Sequence, residues 1–378
     1  MEMFEKASVL SKSLEQFAED LDISESKYLE AEKRYEAVGE WLGKNDSPLS
    51  ICIPEIYPQG SFALGTVIKP MTNKDEYDID LVCFLAKLKK ESTSQSALKT
   101  MVGDRLKAHD AYKRLLDQEG HRCWTLNYAN EFHMDILPAI ADDVLRAKGG
   151  LLVDAILITD KQKIASGDSE WPKSNPRGYL KWFQSRQETV FVALRKQLAE
   201  AIKASVDDVP EYKIKTPLQR AIQILKRHRD IYCSRKKDAC KPISIIITTL
   251  AASSYKGQDN VYNTVYDILF GITDNAIKQA GKFYIPNPAN PGENFADKWD
   301  KNPDLPKSFF EWVNDARTVF GSALIEKVDK MEFGKKLEES LGIKSRDIDD
   351  GQKYSGGAPV YVKVNPSSER RPWGSACV

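Results

Sequence analysis

DIDLVCFLA, residues 78–86, sets two aspartates two positions apart at the head of an apolar run dense in β-formers. With the turn-rich MTNKDEY (71–77) before it, the stretch predicts a strand. On a strand, residues i and i+2 share a face, so Asp78 and Asp80 present their carboxylates side by side. Such charges repel, and a divalent cation with phosphate oxygens and water resolves the conflict. Taken alone, D-x-D also fits two aspartates in a solvated turn.

QGSFALGT, residues 59–66, lies just upstream. Gly60 lets the backbone come close to a ligand, successive N–H groups in such a turn form an anion nest, and the Ser61 hydroxyl adds a donor. A plain turn between strands is the alternative. Downstream, FHMDILPAI (132–140) puts Asp135 among Phe132, Met134, Ile136 and Leu137. A charge on so apolar a strand needs partners, and a metal with two neighbouring carboxylates supplies them. A salt-bridged core aspartate is the competing reading, and Asp154 is a rival for the third carboxylate. His133 is expected to point to the sheet face opposite Asp135 and to be structural.

Outward from these motifs, residues 5–20 and 24–43 read as helices, the second with Asp22 and Glu25 as its capping box. ICIPEIY (51–57), RCWTLNY (122–128), FHMDILPAI and LLVDAILI (151–158) read as strands, and residues 93–117 carry a helical pattern. RCWTLNY and FHMDILPAI are expected to pair across the Asn130-Glu131 turn. After GDSEWPKSNPRG (167–178) the character changes: 177–204, 216–234, 242–255, 259–280 and 306–330 read as helices, interrupted by IPNPANPGEN (285–294). From about residue 348 the chain is rich in Gly, Pro, Ser and Arg and is expected to be a flexible tail. The expected fold is α+β: a mixed sheet domain followed by a helical domain, with the active site in the crevice between them.

The combination of a Gly-Ser loop, D-x-D on a strand and a lone aspartate on a later strand resembles the DNA polymerase β-like nucleotidyltransferases. QGSFALGT, DEYDID (75–80), FHMDILPAI, ILKRHRD (224–230), KPISIIITTLA (241–251) and PNPANPGENFADKW (286–299) narrow this to a resemblance to the CD-NTases, cGAS/DncV-like enzymes of bacterial CBASS anti-phage systems. The resemblance implies a nucleotidyltransferase catalytic domain over 1–175 with N-terminal helices, a helical nucleotide-binding domain over 176–347 and a tail over 348–378. It implies that Asp78, Asp80 and Asp135 bind Mg²⁺ (Mn²⁺ able to substitute) and are catalytic. Gln59, Gly60, Ser61, Lys226 and Ser244 would bind substrate. The implied reaction joins nucleoside triphosphates, such as ATP or GTP, into a cyclic di- or trinucleotide second messenger that a separate effector binds. A template-free synthase of linear oligonucleotides is the runner-up, and a non-catalytic scaffold on the same fold is a third reading.

Composition supports a soluble globular chain: of 378 residues, 42% are apolar and 29% charged. The 55 basic and 55 acidic side chains cancel, so stable nucleic-acid binding is not expected. Six cysteines without a C-x-x-C pair read as reduced thiols, and a start without an apolar core reads as cytoplasmic. No run is long enough to span a membrane. The basic KRHRD and SRKKD runs (226–230, 234–238) read as solvated faces. Tyr232, Tyr255 and Tyr284 are candidates for base stacking but more ordinary as core or rim. The tail is a candidate site for a regulatory or conjugation partner.

Overall fold

The computed structural model describes residues 2–72, 76–129, 131–236, 239–279, 282–325 and 330–343. The tail expected from residue 348 lies outside them.

Two helices open the chain, α1 (Glu2–Glu19) and α2 (Glu25–Gly43). Ser24 caps α2, accepting the Lys27 N–H at 3.3 Å. The expected Asp22–Glu25 box is not formed, because Arg220 and Gln223 engage the Asp22 carboxylate. β1 (Pro54–Gln59), the one-turn helix α3 (Gly60–Ala63) and β2 (Tyr77–Leu85) follow, then α4 (Gln95–Lys107) and α5 (Asp110–Leu115). β3 (Trp124–Tyr128) and β4 (Phe132–Ala141) form the expected antiparallel pair. Next come α6 (Asp143–Arg146), β5 (Ile156–Ile158), α7 (Lys161–Ser166) and β6 (Lys173–Ser174). The first half of the expected strand at 151–158 is a 3₁₀ turn over Gly150–Asp154, and only Ile156–Ile158 is strand.

The sheet runs β1-β2-β4-β5-β6, with β3 also on β4; β2 and β4 are parallel and the other pairs antiparallel. Alternation sorts β2 cleanly. Tyr77, Ile79, Leu81, Cys83 and Leu85 face a core built with α2 and α4. Val82 and Phe84 face a smaller cluster with Leu137, Ala139, Ile156 and Ile158. Asp78 and Asp80 belong to this second face.

α8 (Pro176–Ile202) leads into α9 (Pro217–Arg235), α10 (Ser244–Ser254) and α11 (Val261–Gly271). α9 starts at a full capping box between Thr216 and Gln219, with Pro217 in the first turn. The helix expected over 259–280 stops at Gly271, and β7 (Ile277–Gln279) pairs with β8 (Lys282–Tyr284). β9 (Pro286–Asn287) and β10 (Asn290–Asn294) form a second small pair before α12 (Asp304–Ile325) and α13 (Lys330–Leu341). Leu10, Leu14, Phe17, Ala18 and Leu21, from α1 and the turn after it, are buried in the helical cluster with α9, α11 and α12. No helix among the described residues is long and apolar enough to cross a membrane.

Just before β1, Ile53, a residue 46% exposed, sits at φ 47°, where a β-branched residue is strained. Ile53→Asn should therefore raise the melting temperature by about 1–3 °C. A fall on a thermal scan would show that the exposed isoleucine contributes more than its backbone costs.

Candidate active site

β1 delivers Gln59 opposite Asp80 in the antiparallel register. The chain then turns at Gly60, at φ +62°. A Cβ at Gly60 would lie 2.2 Å from Asp80 Oδ2, so only glycine brings this backbone against that carboxylate. Ser61 occupies the following turn, where its carbonyl accepts the Thr66 N–H at 2.9 Å. Phe62 pins the turn to the sheet core, stacked on Tyr28 at 4.8 Å between ring centroids.

The parallel register sets Asp80 directly beside Asp135 and Asp78 beside His133. Thr125, opposite Asp135 on β3, donates to Asp135 Oδ1 at 2.5 Å. Burial, with the charges of Asp135 and Asp78, pushes the Asp80 carboxyl up to about 7, against the pull of Lys226. Partial desolvation against the strand, then the charge of Asp135, also raises Asp78, whose side chain is 70% exposed. The sequence thus brings three carboxylates onto one face, as expected.

Lys226 is 5% exposed and donates to the Thr66 carbonyl at 2.9 Å. Burial and Arg229 bring its ammonium down to about 7, while Asp230 and Asp80 favour the charge. The solvated-face reading of KRHRD is overturned. Lys226, Arg227, His228 and Arg229 are all buried, because α9 turns them onto backbone carbonyls and, for His228, onto the indole N–H of Trp312. Ser244, at the start of α10, takes a 2.9 Å hydrogen bond from Arg229, which also contacts Asp230. Lys241 pairs with the same aspartate at 2.9 Å. Ser244 is thus tied to α9 through Arg229, one helical turn from Lys226.

His133 corrects an expectation. Two residues from Asp135, it shares that residue's face, with Nδ1 3.6 Å from Asp78 Oδ1 and Nε2 2.7 Å from Glu76 Oε2. Asp154 does not reach the site. It precedes β5 in the 3₁₀ turn and pairs with Lys181 of α8 at 2.8 Å. Tyr232 and Tyr255 are core residues, with hydroxyls bonded to Lys236 and the Gln258 carbonyl. The half-buried Tyr284 donates to the Pro291 carbonyl. Thr125 was missed, although counting back from the turn at 130–131 places it opposite Asp135.

The profile of the Second Messenger Oligonucleotide or Dinucleotide Synthetase domain matches residues 9–187. The chain is also 32% identical over 308 residues to a c-di-GMP synthase of Roseivirga ehrenbergii, covering 81% of this chain and 77% of that one. This chain belongs to the CD-NTases. A second relative, the cyclic dinucleotide synthase CdnG of Bradyrhizobium diazoefficiens, is 26% identical over 309 residues, covering 78% of this CD-NTase and 71% of the relative. A solved structure of the B. diazoefficiens CD-NTase CdnG with GTP has the same fold, with a TM-score of 0.66 at 22% identity over 88% of this chain and 96% of that one.

As a CD-NTase the protein is a nucleotidyltransferase that synthesises a cyclic oligonucleotide; the scaffold reading falls away and the linear-product reading is not favoured. Divalent-metal dependence is general to the family. The residues fit such an ion. Three carboxylates, hard oxygen donors, share one face, and desolvation together with their mutual repulsion shifts Asp78 and Asp80 upward. Among the described residues no trio of side chains is yet drawn to ligating distance: Asp135 is turned to Thr125, and Asp78 lies near His133.

Proposed function

We propose that this CD-NTase joins two GTP molecules into a cyclic dinucleotide, with c-di-GMP the first product to test. The observation that carries the chemistry is Asp80 paired in register with Asp135 while Gly60 closes on Asp80. The choice of guanine is supported by the relatives: a c-di-GMP synthase and a CdnG solved with GTP.

In this reading Gln59, Gly60 and Ser61 hold the triphosphate against the end of β1. Lys226 and Ser244 complete the phosphate side from α9 and α10. Asp78, Asp80 and Asp135 hold Mg²⁺, with Mn²⁺ able to substitute. When bound, the metal neutralises the triphosphate and eases deprotonation of the attacking hydroxyl. A ribose hydroxyl oxygen forms a bond to the α-phosphorus of the second nucleotide, the bond to the β-phosphate bridging oxygen breaks, and pyrophosphate leaves. A second transfer closes the ring. Positioning and charge neutralisation supply most of the rate. The catalytic unit is assigned to 1–175 and the helical nucleotide-binding unit to 176–347. The product would signal to a separate effector in anti-phage defence, in the cytoplasm.

The test is a product assay with purified protein, Mg²⁺ and one, two or four NTPs, followed by phosphatase and mass spectrometry. GTP alone should give a phosphatase-resistant product that Asp78→Asn/Asp80→Asn abolishes. A product that requires a second base would overturn the guanine assignment, and one fully degraded by phosphatase and exonuclease would overturn cyclisation.

A further inference from the structure

The segment that follows the Gly-Ser turn hangs from one face of α9. Gln219 Nε2 donates to the Leu64 carbonyl at 2.9 Å and Gln223 Nε2 to the Val67 carbonyl at 2.8 Å. Lys226 reaches the Thr66 carbonyl, and Arg227 the Lys69 carbonyl. Just ahead of the helix, Lys215 donates to the Gly65 carbonyl at 2.7 Å. Five side chains thus take up the carbonyls of residues 64–67 and 69. Positions 219, 223, 226 and 227 recur at helical spacing, which is why one face serves all of them. Gln219 and Gln223 are 8% and 0% exposed, so neither bond is exchanged freely for water. Gly65 belongs to the same arrangement: it lies at φ +65°, and a Cβ there would sit 2.6 Å from Gln219 Nε2. The carboxylates, in contrast, are carried by the sheet.

We propose that Gln219 and Gln223 are positioning residues for nucleotide binding. By fixing residues 64–67 to α9, they set where the Gly60–Ser61 turn stands relative to Asp80. The proposal rests on the reading that this turn grips the triphosphate. The side chains touch no reacting atom. They act through the backbone between the turn and the helix, so their loss displaces the phosphate grip and leaves the carboxylate geometry of β2 and β4 unchanged.

Two variants remove the donors. Gln219→Glu keeps the oxygen that accepts the Thr216 N–H in the capping box but removes the donor to Leu64. Gln223→Met keeps the volume and removes the donor to Val67 together with its bond to Asp22 Oδ1, a carboxylate that Arg220 still holds. Steady-state synthesis by the full chain with Mg²⁺ and GTP, together with hydrogen exchange, provides the readout. Each variant should raise KM for GTP roughly ten-fold or more while kcat per folded molecule changes much less. Deprotection should be confined to residues 60–69, with β2 unchanged. A merely structural role would lower the folded fraction, and with it apparent kcat, at constant KM. KM within two-fold of the parent in both variants would overturn the proposal. Ser61→Ala separates the two levels: if it raises KM and the glutamine variants do not, the positioning role fails and the phosphate grip stands. If Ser61→Ala also leaves KM unchanged, the underlying reading has failed. Should neither glutamine variant fold, exchange in the unmutated protein decides. Amides of residues 65–69 opening independently of α9 would sink the proposal; opening together with it would sustain it.

Discussion

Asp80→Asn should lower cyclic-dinucleotide synthesis by about 10³-fold or more and, in the absence of metal, make the protein more stable. The two effects have one cause. Asp80 is half-buried beside Asp78 and Asp135, and its carboxyl is pushed from 3.8 up to about 7. Because the folded-state value lies above the unfolded one, this carboxyl's contribution to stability is complete below about 4 and is lost as the pH rises to about 7. At pH 8 that loss is roughly 2–4 kcal/mol, counting part of it as shared with its neighbours. Asparagine removes the repulsion, so its gain in melting temperature should be larger at pH 8 than at pH 5. Mg²⁺ at pH 8 should stabilise the parent protein and do little for the variant. A pH-independent gain on thermal scans, or activity within ten-fold of the parent, would contradict this account.

Gly60→Ala is the second large effect. Here φ +62° costs an L-residue about 1–2 kcal/mol. The added Cβ would also meet Asp80 Oδ2 at 2.2 Å, so either the turn or the carboxylate must move. Activity should fall by roughly 10²-fold, well beyond the stability cost. Gly167→Ala is the matched control, at φ +74° with nothing within 4 Å of the added atom. It should show a similar loss in melting temperature with near-parental activity. Equal activity in the two variants would show that the approach of Gly60 to Asp80 does not matter.

Much of this site could be read from the chain before any coordinates. Asp78, Asp80 and Asp135 stand out because charges inside β-forming apolar runs are costly, and period two assigns the pair to one face. What lies across strands is harder. The parallel register that sets Asp80 beside Asp135 depends on non-local pairing, which local patterns do not encode. Period two does put His133 beside Asp135, so that error was a misapplied rule and not a missing signal. KRHRD misled for another reason. Composition alone makes it a wet face, yet α9 presents those donors to backbone carbonyls up to 160 residues away in sequence. LLVDAILI has strand composition, but its first half turns where Asp154 meets Lys181. The helix expected to 280 ended at Gly271, and α13 went unread.

The placement of α1 bears on how the molecule is made. Its buried side chains belong to a cluster completed by α9, α11 and α12, and Ser11 meets its backbone partner Val261 250 residues later. The sheet is encoded between these two contributions. A ribosome working at roughly 5–20 residues per second therefore finishes the sheet while α1 still waits, some 10–50 s, for its partners. During that interval the apolar stripe of the first helix stays uncovered, and only the arrival of α9, α11 and α12 buries it.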